Sequence, residues 1–338
     1  MTSPRFRLHA SARRTLIAAV ALAATLAGLP AGNAQPAAQV AGYPSRPIRI
    51  VVGFPPGGGV DVIARLFADK LSVLLKQSVV VENRPGASGS IAGRAVASAE
   101  PDGHTIMVNS NSILVNQVLN PNSGVDLERD LVAVVSVAPQ PNLIAAAPDL
   151  PAGSLAELTA LARSRTLLFG SPGLGSVPHL VVEYLFTSLN DLKLDHVPYP
   201  GAAQALTAVM TSQIELASVT MPPAVPLVQA GKVKPVVVTS RARAAALPNV
   251  PTVAESGYPG FEIVTWCGFF MPANTPKPIV DKFEQAALAV AASSEIRERL
   301  VTLGFDTTST PGEKFRAEIS AELRRWSEVV QKAKIKLQ

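Results

Sequence analysis

Short β-branched apolar runs alternate with segments of helical period along most of this chain. The first run, Ile48-Arg-Ile-Val-Val-Gly-Phe54, predicts a strand over 47–54. The next segment carries Ile63, Leu66, Phe67, Leu71 and Leu74 at three- and four-residue spacing, which predicts an amphipathic helix over 60–75. A strand over 78–82, a glycine-rich turn at 85–89, a helix over 90–98 and a strand over 104–109 follow. A second series begins near residue 141. Strands at 143–147, 166–170, 194–198, 214–219 and 235–239 alternate with helices at 154–164, 178–188, 202–211 and 223–230. Short apolar strands each followed by a helical period read as buried parallel strands with crossover helices.

The last 75 residues differ in character. An apolar strand at 263–271 precedes three helices, and the final one places Phe315, Ile319, Leu323, Trp326, Val330 and Ala333 on one face behind Pro311. Too few strands remain for a third domain, so the chain is expected to cross back and cover the first sheet. The fold class is thus α/β with two lobes and a cleft between them. Residues 43–140 plus 262–338 form a discontinuous first lobe, and 141–261 form the second.

The first 34 residues stand apart from this pattern. Arg5, Arg7, Arg13 and Arg14 precede an uncharged stretch from Thr15 to Leu29, and small residues end at Ala34. That is a cleaved secretory signal peptide, too short to span a bilayer permanently. The two adjacent arginines leave the general and twin-arginine routes both open. Without the signal, Lys+Arg falls from 30 to 26 against 25 Asp+Glu, a near-neutral mature chain. The high isoelectric point therefore argues for neither nucleic acid nor a membrane surface. Cys267 is the only cysteine, so no intramolecular disulfide can form. Its apolar setting, Thr265-Trp-Cys-Gly-Phe269, favours a buried filler over a reactive thiol.

Candidate chemistry concentrates in two glycine loops. Phe54-Pro-Pro-Gly-Gly-Gly-Val-Asp61 joins a strand to a helix, so Gly57, Gly58 and Gly59 let the backbone approach an anion at a positive helix end. No Lys follows the glycines as a P-loop requires, and Val62 occupies the third glycine position of a dinucleotide fingerprint. Asp61 is expected to shape the loop. The second loop, Ser171-Pro-Gly-Leu-Gly-Ser-Val-Pro-His-Leu180, repeats the design, with Ser176 placed as an N-cap. His179 and Glu183 are four apart on one helix face, but no third ligand is evident, so a packed or surface pair is preferred over a metal site. Gly-x-Ser-x-Gly is absent, and His104, His179 and His196 are the only histidines beyond the signal. Two such loops facing each other make a clamp that binds without proton transfer, so no catalytic residue, metal or cofactor is expected.

The motifs Tyr43-Pro-Ser-Arg-Pro-Ile48, Val81-Glu-Asn-Arg-Pro-Gly-Ala-Ser-Gly89, Pro101-Asp-Gly-His-Thr105, His196-Val-Pro-Tyr-Pro-Gly201, Leu247-Pro-Asn-Val-Pro-Thr252 and Met271-Pro-Ala-Asn-Thr-Pro276 accompany the first glycine loop in order. Over residues 43–338 the chain resembles the Bug (TctC-like) periplasmic solute receptors of tripartite tricarboxylate transporters. The resemblance implies a receptor that closes on a small organic carboxylate and delivers it to membrane permease subunits. It also implies a contact set: Phe54, Pro56, Gly57, Gly58, Gly59, Val60 and Asp61 from the first loop, and Gly175, Ser176, Val177 and His179 from the second. Asn109, Ser110, Tyr199, Val219 and Thr220 would line the rest. Val60, Pro200 and Val219 replace polar or charged residues frequent in the family, which favours a monocarboxylate with a largely apolar remainder. The expected protein is periplasmic and monomeric, binds no nucleic acid and is not an enzyme. A periplasmic ligand sensor for a signalling partner is the alternative.

Overall fold

The computed structural model describes residues 42–333, and residues 43–338 group as one compact unit. The signal-peptide assignment to residues 1–34 lies outside the described residues. The strands are β1 (Ile48–Val52), β2 (Val79–Asn83), β3 (Thr105–Ser110), β4 (Leu131–Ala146), β5 (Leu168–Ser171), β6 (Asp195–Pro198), β7 (Leu216–Thr220), β8 (Lys234–Val238), β9 (Val264–Pro272) and β10 (Ser309–Pro311). They lie in the order β2-β1-β3-β9-β4-β7-β5-β6, with β8 and β10 also pairing β4. The helices are α1 (Gly59–Leu75), α2 (Ser90–Ala97), α3 (Ser112–Leu119), α4 (Leu155–Ser164), α5 (Val177–Val182), α6 (Ala202–Met210), α7 (Met221–Gln229), α8 (Lys277–Ala292), α9 (Ser294–Leu303) and α10 (Gly312–Ala333).

Strand β4 organises the molecule. The sequence pattern predicts only its last part, 143–147, whereas the strand runs for 16 residues. Its first part pairs antiparallel with β9 in a sheet that holds the parallel β1, β2 and β3. Its last five residues, from Asn142 to Ala146, lie between β7 and β8 in a second sheet. Residues 131–137 form a nearly continuous apolar run, which Pro139 and Pro141 interrupt in the sequence before the last part of the strand. They are accommodated where the strand changes sheets, at a register shift between Val137 and Gln140 with Ala138 at φ 48°.

A polar knot ties this crossover. The Asn142 amide N–H donates to Thr239 Oγ1 (2.8 Å), and Thr239 Oγ1 in turn donates to the Ile263 carbonyl (2.5 Å). Thr265 Oγ1 reaches Asn142 Oδ1 at 2.9 Å, so three chain segments are joined at one level. These groups are buried, and each finds a partner inside the protein, as buried polar groups must.

Helix α1 buries Ile63, Phe67 and Leu71, as its period indicates, but Leu66 is only half-buried and Leu74 is 51% exposed. Ala64 and Ala68 complete the buried stripe, because the helix lies close enough to the sheet for small side chains. Helix α4 begins with a capping box in which Ser154 accepts from the Glu157 N–H and Glu157 reaches back to the Ser154 N–H. The segment expected as one helix over 178–188 is α5 followed by a π-helical turn at Glu183–Ser188.

The last helix serves both apolar cores. Phe315 and Ile319 join the cluster containing Val51, Met107 and Phe270, while Trp326 joins the cluster of Leu143, Phe169 and Leu180. Between them, Glu322 accepts hydrogen bonds from Trp266 Nε1 (2.7 Å), Trp326 Nε1 (3.0 Å) and Asn111 Nδ2 (2.8 Å). Phe315 is fully buried and meets Trp266 edge-on at 4.8 Å. Phe315→Ala is therefore expected to lower unfolding free energy by about 3–5 kcal/mol, read from denaturant titration, because the vacated space cannot collapse on a sheet-backed wall. A loss below about 1 kcal/mol would mean that α10 is not packed as described.

Candidate functional site

A narrow cleft lies between the loops of the two sheets. Phe54, Pro55, Pro56, Gly58, Gly59, Val60, Ser110, Ser112 and Thr265 border it from one side. Pro172, Pro178, Gly201, Ala202, Gln204 and Thr220 border it from the other. Two hydrogen bonds cross it: Ser88 Oγ donates to the Leu174 carbonyl (3.0 Å), and the Val177 N–H donates to Ser112 Oγ (3.1 Å). Gly201 also lies against Pro55, where an added Cβ would come within 3.2 Å of the proline ring. The cleft is closed.

Its electrostatics come from the backbone. Among the described residues that border it, none is Arg, Lys, His, Asp or Glu. Instead, five helices begin there: α1 at Gly59, α3 at Ser112, α5 beside Pro178, α6 at Ala202 and α7 next to Thr220. The N-cap residues of α1, α3, α6 and α7 (Gly58, Asn111, Gly201 and Thr220) make no side-chain cap hydrogen bond. First-turn amides have no partner within their own helix, and each helix start carries partial positive charge. The donors are unequal: in α5 the Val177 and His179 amides are spent on Ser112 and Ser176 and Pro178 has none, and α7 opens Met221-Pro222-Pro223. An anion entering the cleft would therefore meet chiefly the first-turn amides of α1 and α6, without any cationic side chain.

The first loop is held in shape from behind. Asp61 is buried and accepts from the Gly57 N–H (3.0 Å), Arg65 Nε (3.0 Å) and Asn83 Nδ2 (2.8 Å). Asn83 Nδ2 also donates to the Phe54 carbonyl at 2.9 Å. Gly57, at φ 85°, thus gives its amide to Asp61 and makes the turn. Gly59 is needed for space: a Cβ there would lie 2.3 Å from Gln140 Oε1. Gln140, on the sheet-changing part of β4, is fully buried behind the start of α1, and nothing in the sequence marks it.

Of the residues expected to make contact, Phe54, Pro56, Gly58, Gly59, Val60, Ser110 and Thr220 border the cleft. Gly57 and Asp61 shape its loop, as above. Asn109 sits behind that loop, where a Cβ on Gly53 or Gly89 would strike its side chain. Ser176 caps α5, accepting from the His179 N–H at 3.3 Å. Val177 spends its amide on Ser112, and Val219 is packed in the second core. Tyr199 lies against Gly170, and Gly175 and His179 bond each other behind the second loop. The predicted contact set missed Pro55, Ser112, Pro172, Pro178, Gly201, Ala202, Gln204 and Thr265. Gly201 and Ala202 carried a signal, a glycine opening an amphipathic helix, but Ser112 did not, because its helix was not recognised.

His179 Nε2 is 3.8 Å from Glu183 Oε1, too far for a direct hydrogen bond, and among the described residues no group of three or more His, Cys, Asp or Glu is arranged to hold a metal. Cys267 is buried and its thiol is pushed up to about 12 by desolvation, partly offset by Gln140. It is unreactive at neutral pH.

This arrangement, with antiparallel strands passing between two α/β sheets and a closed cleft at their loops, is the two-lobed periplasmic binding-protein fold. BugD, a periplasmic binding protein, matches it with a TM-score of 0.83 at 32% identity over 88% of this chain and 100% of that one. The family of tripartite tricarboxylate transporter receptors (TctC) matches residues 63–335, and the chain belongs to that family. A protein encoded in the tcbD-tcbE intergenic region of Pseudomonas sp. strain P51 is 35% identical over 321 residues, 94% of each chain. The R. palustris protein Rpa4515, solved with adipate, is 33% identical with a TM-score of 0.84, covering 87% of this chain and 99% of that one.

Desolvation tends to raise the Asp61 pKa, but hydrogen bonds from Arg65, Gly57 and Asn83 outweigh it and hold the carboxyl below its ordinary 3.8. The stabilisation is thus complete above pH 3.8 and is lost as pH falls through the lower folded value. Asp61→Ala is expected to cost about 1–3 kcal/mol at neutral pH. The gap to the unsubstituted chain should narrow below pH 4 in chemical denaturation (about the carboxylate range). A gap independent of pH would contradict the charged role of Asp61.

Proposed function

We propose that this chain is a periplasmic solute-binding receptor that captures a small organic carboxylate and delivers it to the membrane permease subunits of a tripartite tricarboxylate-type transporter. The observation that carries this is a cleft with no charged side chain in its lining, onto which the starts of α1 and α6 present their first-turn amides. Such a site neutralises an anion through oriented amides and helix ends. Its lining carries no His, Asp, Glu, Lys or Cys to act as a general base, which supports a chain that acts by binding.

The ligand class follows from the walls. Phe54, Pro55, Pro56, Pro172 and Pro178 supply apolar surface, and Ser110, Thr220, Thr265 and Gln204 supply neutral hydrogen-bonding groups. Val60 stands beside the glycines, and no basic side chain borders the cleft to pair with a second carboxylate. Burying a second full charge there is costly, so the ligand is a monocarboxylate with a largely apolar remainder. The relative Rpa4515 was solved with adipate, an acid whose centre is apolar, which makes adipate the informative comparison.

The lobes are 43–140 with 262–338, and 141–261, a division supported by β4 and β9 passing between the sheets. The leader ends near Ala34, and the mature chain works as a periplasmic monomer. Among the described residues no helix is long and apolar enough to cross a membrane.

Thermal shift against benzoate, butyrate, adipate, malate and citrate tests the ligand class. A preferred monocarboxylate at a hundredfold excess over its Kd should raise Tm by about 5 °C. Preference for adipate, malate or citrate, or for an amino acid added as a further control, would refute the monocarboxylate assignment.

A further inference from the structure

Behind the second glycine loop lies a cluster that the cleft lining does not use. His179, on α5, and His196, on β6, have ring centroids 4.1 Å apart and an interplanar angle of 32°. Phe169 of β5 continues the stack, at 4.8 Å from His196 and 6.0 Å from His179. Each imidazole reaches the loop. The Gly175 N–H donates to His179 Nδ1 at 3.3 Å, and His196 Nε2 lies 2.8 Å from Ser171 Oγ. Ser171 Oγ donates to the Gly173 carbonyl at 3.0 Å, and that carbonyl also receives the Ser176 N–H.

We propose that His179 and His196 form a neutral, stacked positioning pair that holds the second glycine loop, residues 171–176, in the shape that completes the cleft. It rests on the carboxylate-receptor reading only for the consequence it has for affinity. The loop geometry stands without it.

Proton counting fixes both rings. Ser171 has one hydroxyl proton, and the Gly173 carbonyl takes it, so His196 must donate from Nε2. His179 accepts at Nδ1, so its proton is on Nε2, on the side facing Glu183. His179 is therefore the neutral Nε2–H tautomer, and His196 carries its proton on Nε2, with burial disfavouring a second one on Nδ1. A second proton on His179 would sit on Nδ1 and point at the Gly175 N–H, setting donor against donor. It would also place a cation against the neighbouring ring. Gly173 (φ 110°) and Gly175 (φ 71°) both hold left-handed backbone, so the loop between them depends on these tethers to keep one shape.

The surroundings agree. Glu183 is the one carboxylate close to the pair, at 3.8 Å from His179 Nε2, and its own pKa is raised by burial, with Thr187 and Lys193 opposing. Strand β5 contributes only Phe169 and Ser171, and on β6 Asp195 alternates to the opposite face from His196. Strand β7, packed against α5, carries no titratable side chain. Desolvation, then the His196 ring, lowers His179 to about 3, and desolvation lowers His196 to about 4. Groups whose folded pKa lies below the unfolded 6.5 stabilise fully above that value, and their contribution is lost as pH falls from there toward 4 and 3.

Imidazole 15N NMR of the full chain without added acid is the first test. Both rings should show protonated Nε2 and bare Nδ1, with no titration from pH 8 to about pH 5, since ordinary histidines titrate near 6.5. A ring that titrates near 6.5, or a protonated Nδ1 on His179, overturns the proposal. The second test replaces the acceptor. His179→Leu leaves the Gly175 N–H unpartnered, and its hydrogen exchange should quicken at least about tenfold. His179→Asn, which keeps an acceptor at the Nδ1 position, should stay within about threefold of the unsubstituted chain. Equal exchange in the two variants overturns the positioning role, and where His179→Leu fails to fold, His196→Gln against His196→Leu gives the same comparison through the Gly173 and Ser176 amides. Calorimetry with benzoate and adipate then reads the consequence: His179→Leu should bind about tenfold more weakly and His179→Asn within about threefold. If neither acid binds the unsubstituted chain, the carboxylate-receptor reading fails while the NMR and exchange results still decide the role of the pair.

Discussion

The structure depends on a cluster of helix starts that point at one closed space. An amide at a helix start is half of an interaction, and burying several together without a partner is unfavourable. Two such starts, of α1 and α6, border a cleft whose lining carries no charged side chain, so much of the binding power of the site resides in backbone geometry. Backbone geometry is only as good as what holds it, and the surrounding structure can be understood as that support. Asp61 with Asn83 and Arg65 fixes the first loop, and the histidine stack stands behind the second. Neither loop shape would survive as a free chain, since left-handed glycines carry little preference of their own.

The crossover determines whether the two loops can meet. Strand β4 belongs to both sheets, β9 returns beside it, and the Asn142–Thr239–Ile263–Thr265 hydrogen bonds join them at the level where they change sheets. Thr265 borders the cleft while its neighbour Trp266 faces Glu322 on α10, so the two faces of one strand serve the cleft and the rear support. Helix α10 contributes to two apolar clusters, Phe315 and Ile319 to one and Trp326 to the other.

Much of this was legible in the amino-acid order. The alternation of apolar runs with helical periods gave the α/β class, and both glycine loops stood out because glycine before a helix has few other uses. The amphipathic α10 was equally plain. What escaped was non-local. Pro139 and Pro141 disguised a 16-residue strand, since a strand that changes sheets tolerates breakers that a flat strand would not. Gln140 and Ser112 had no local signal, because their places are set by segments far away in sequence. Val219 and His179 carry the opposite lesson: residues next to a site in sequence can face the core behind it.

The central claim is that this cleft holds an organic acid through backbone amides and neutral side chains, with no cationic partner. Mass spectrometry of small molecules released on denaturing the freshly purified protein tests it most directly, because a closed cleft retains what it binds. The account expects one monocarboxylic acid with an apolar body, near stoichiometric with the chain. Release of an organic cation, a nucleotide or a tricarboxylate in that proportion would contradict it.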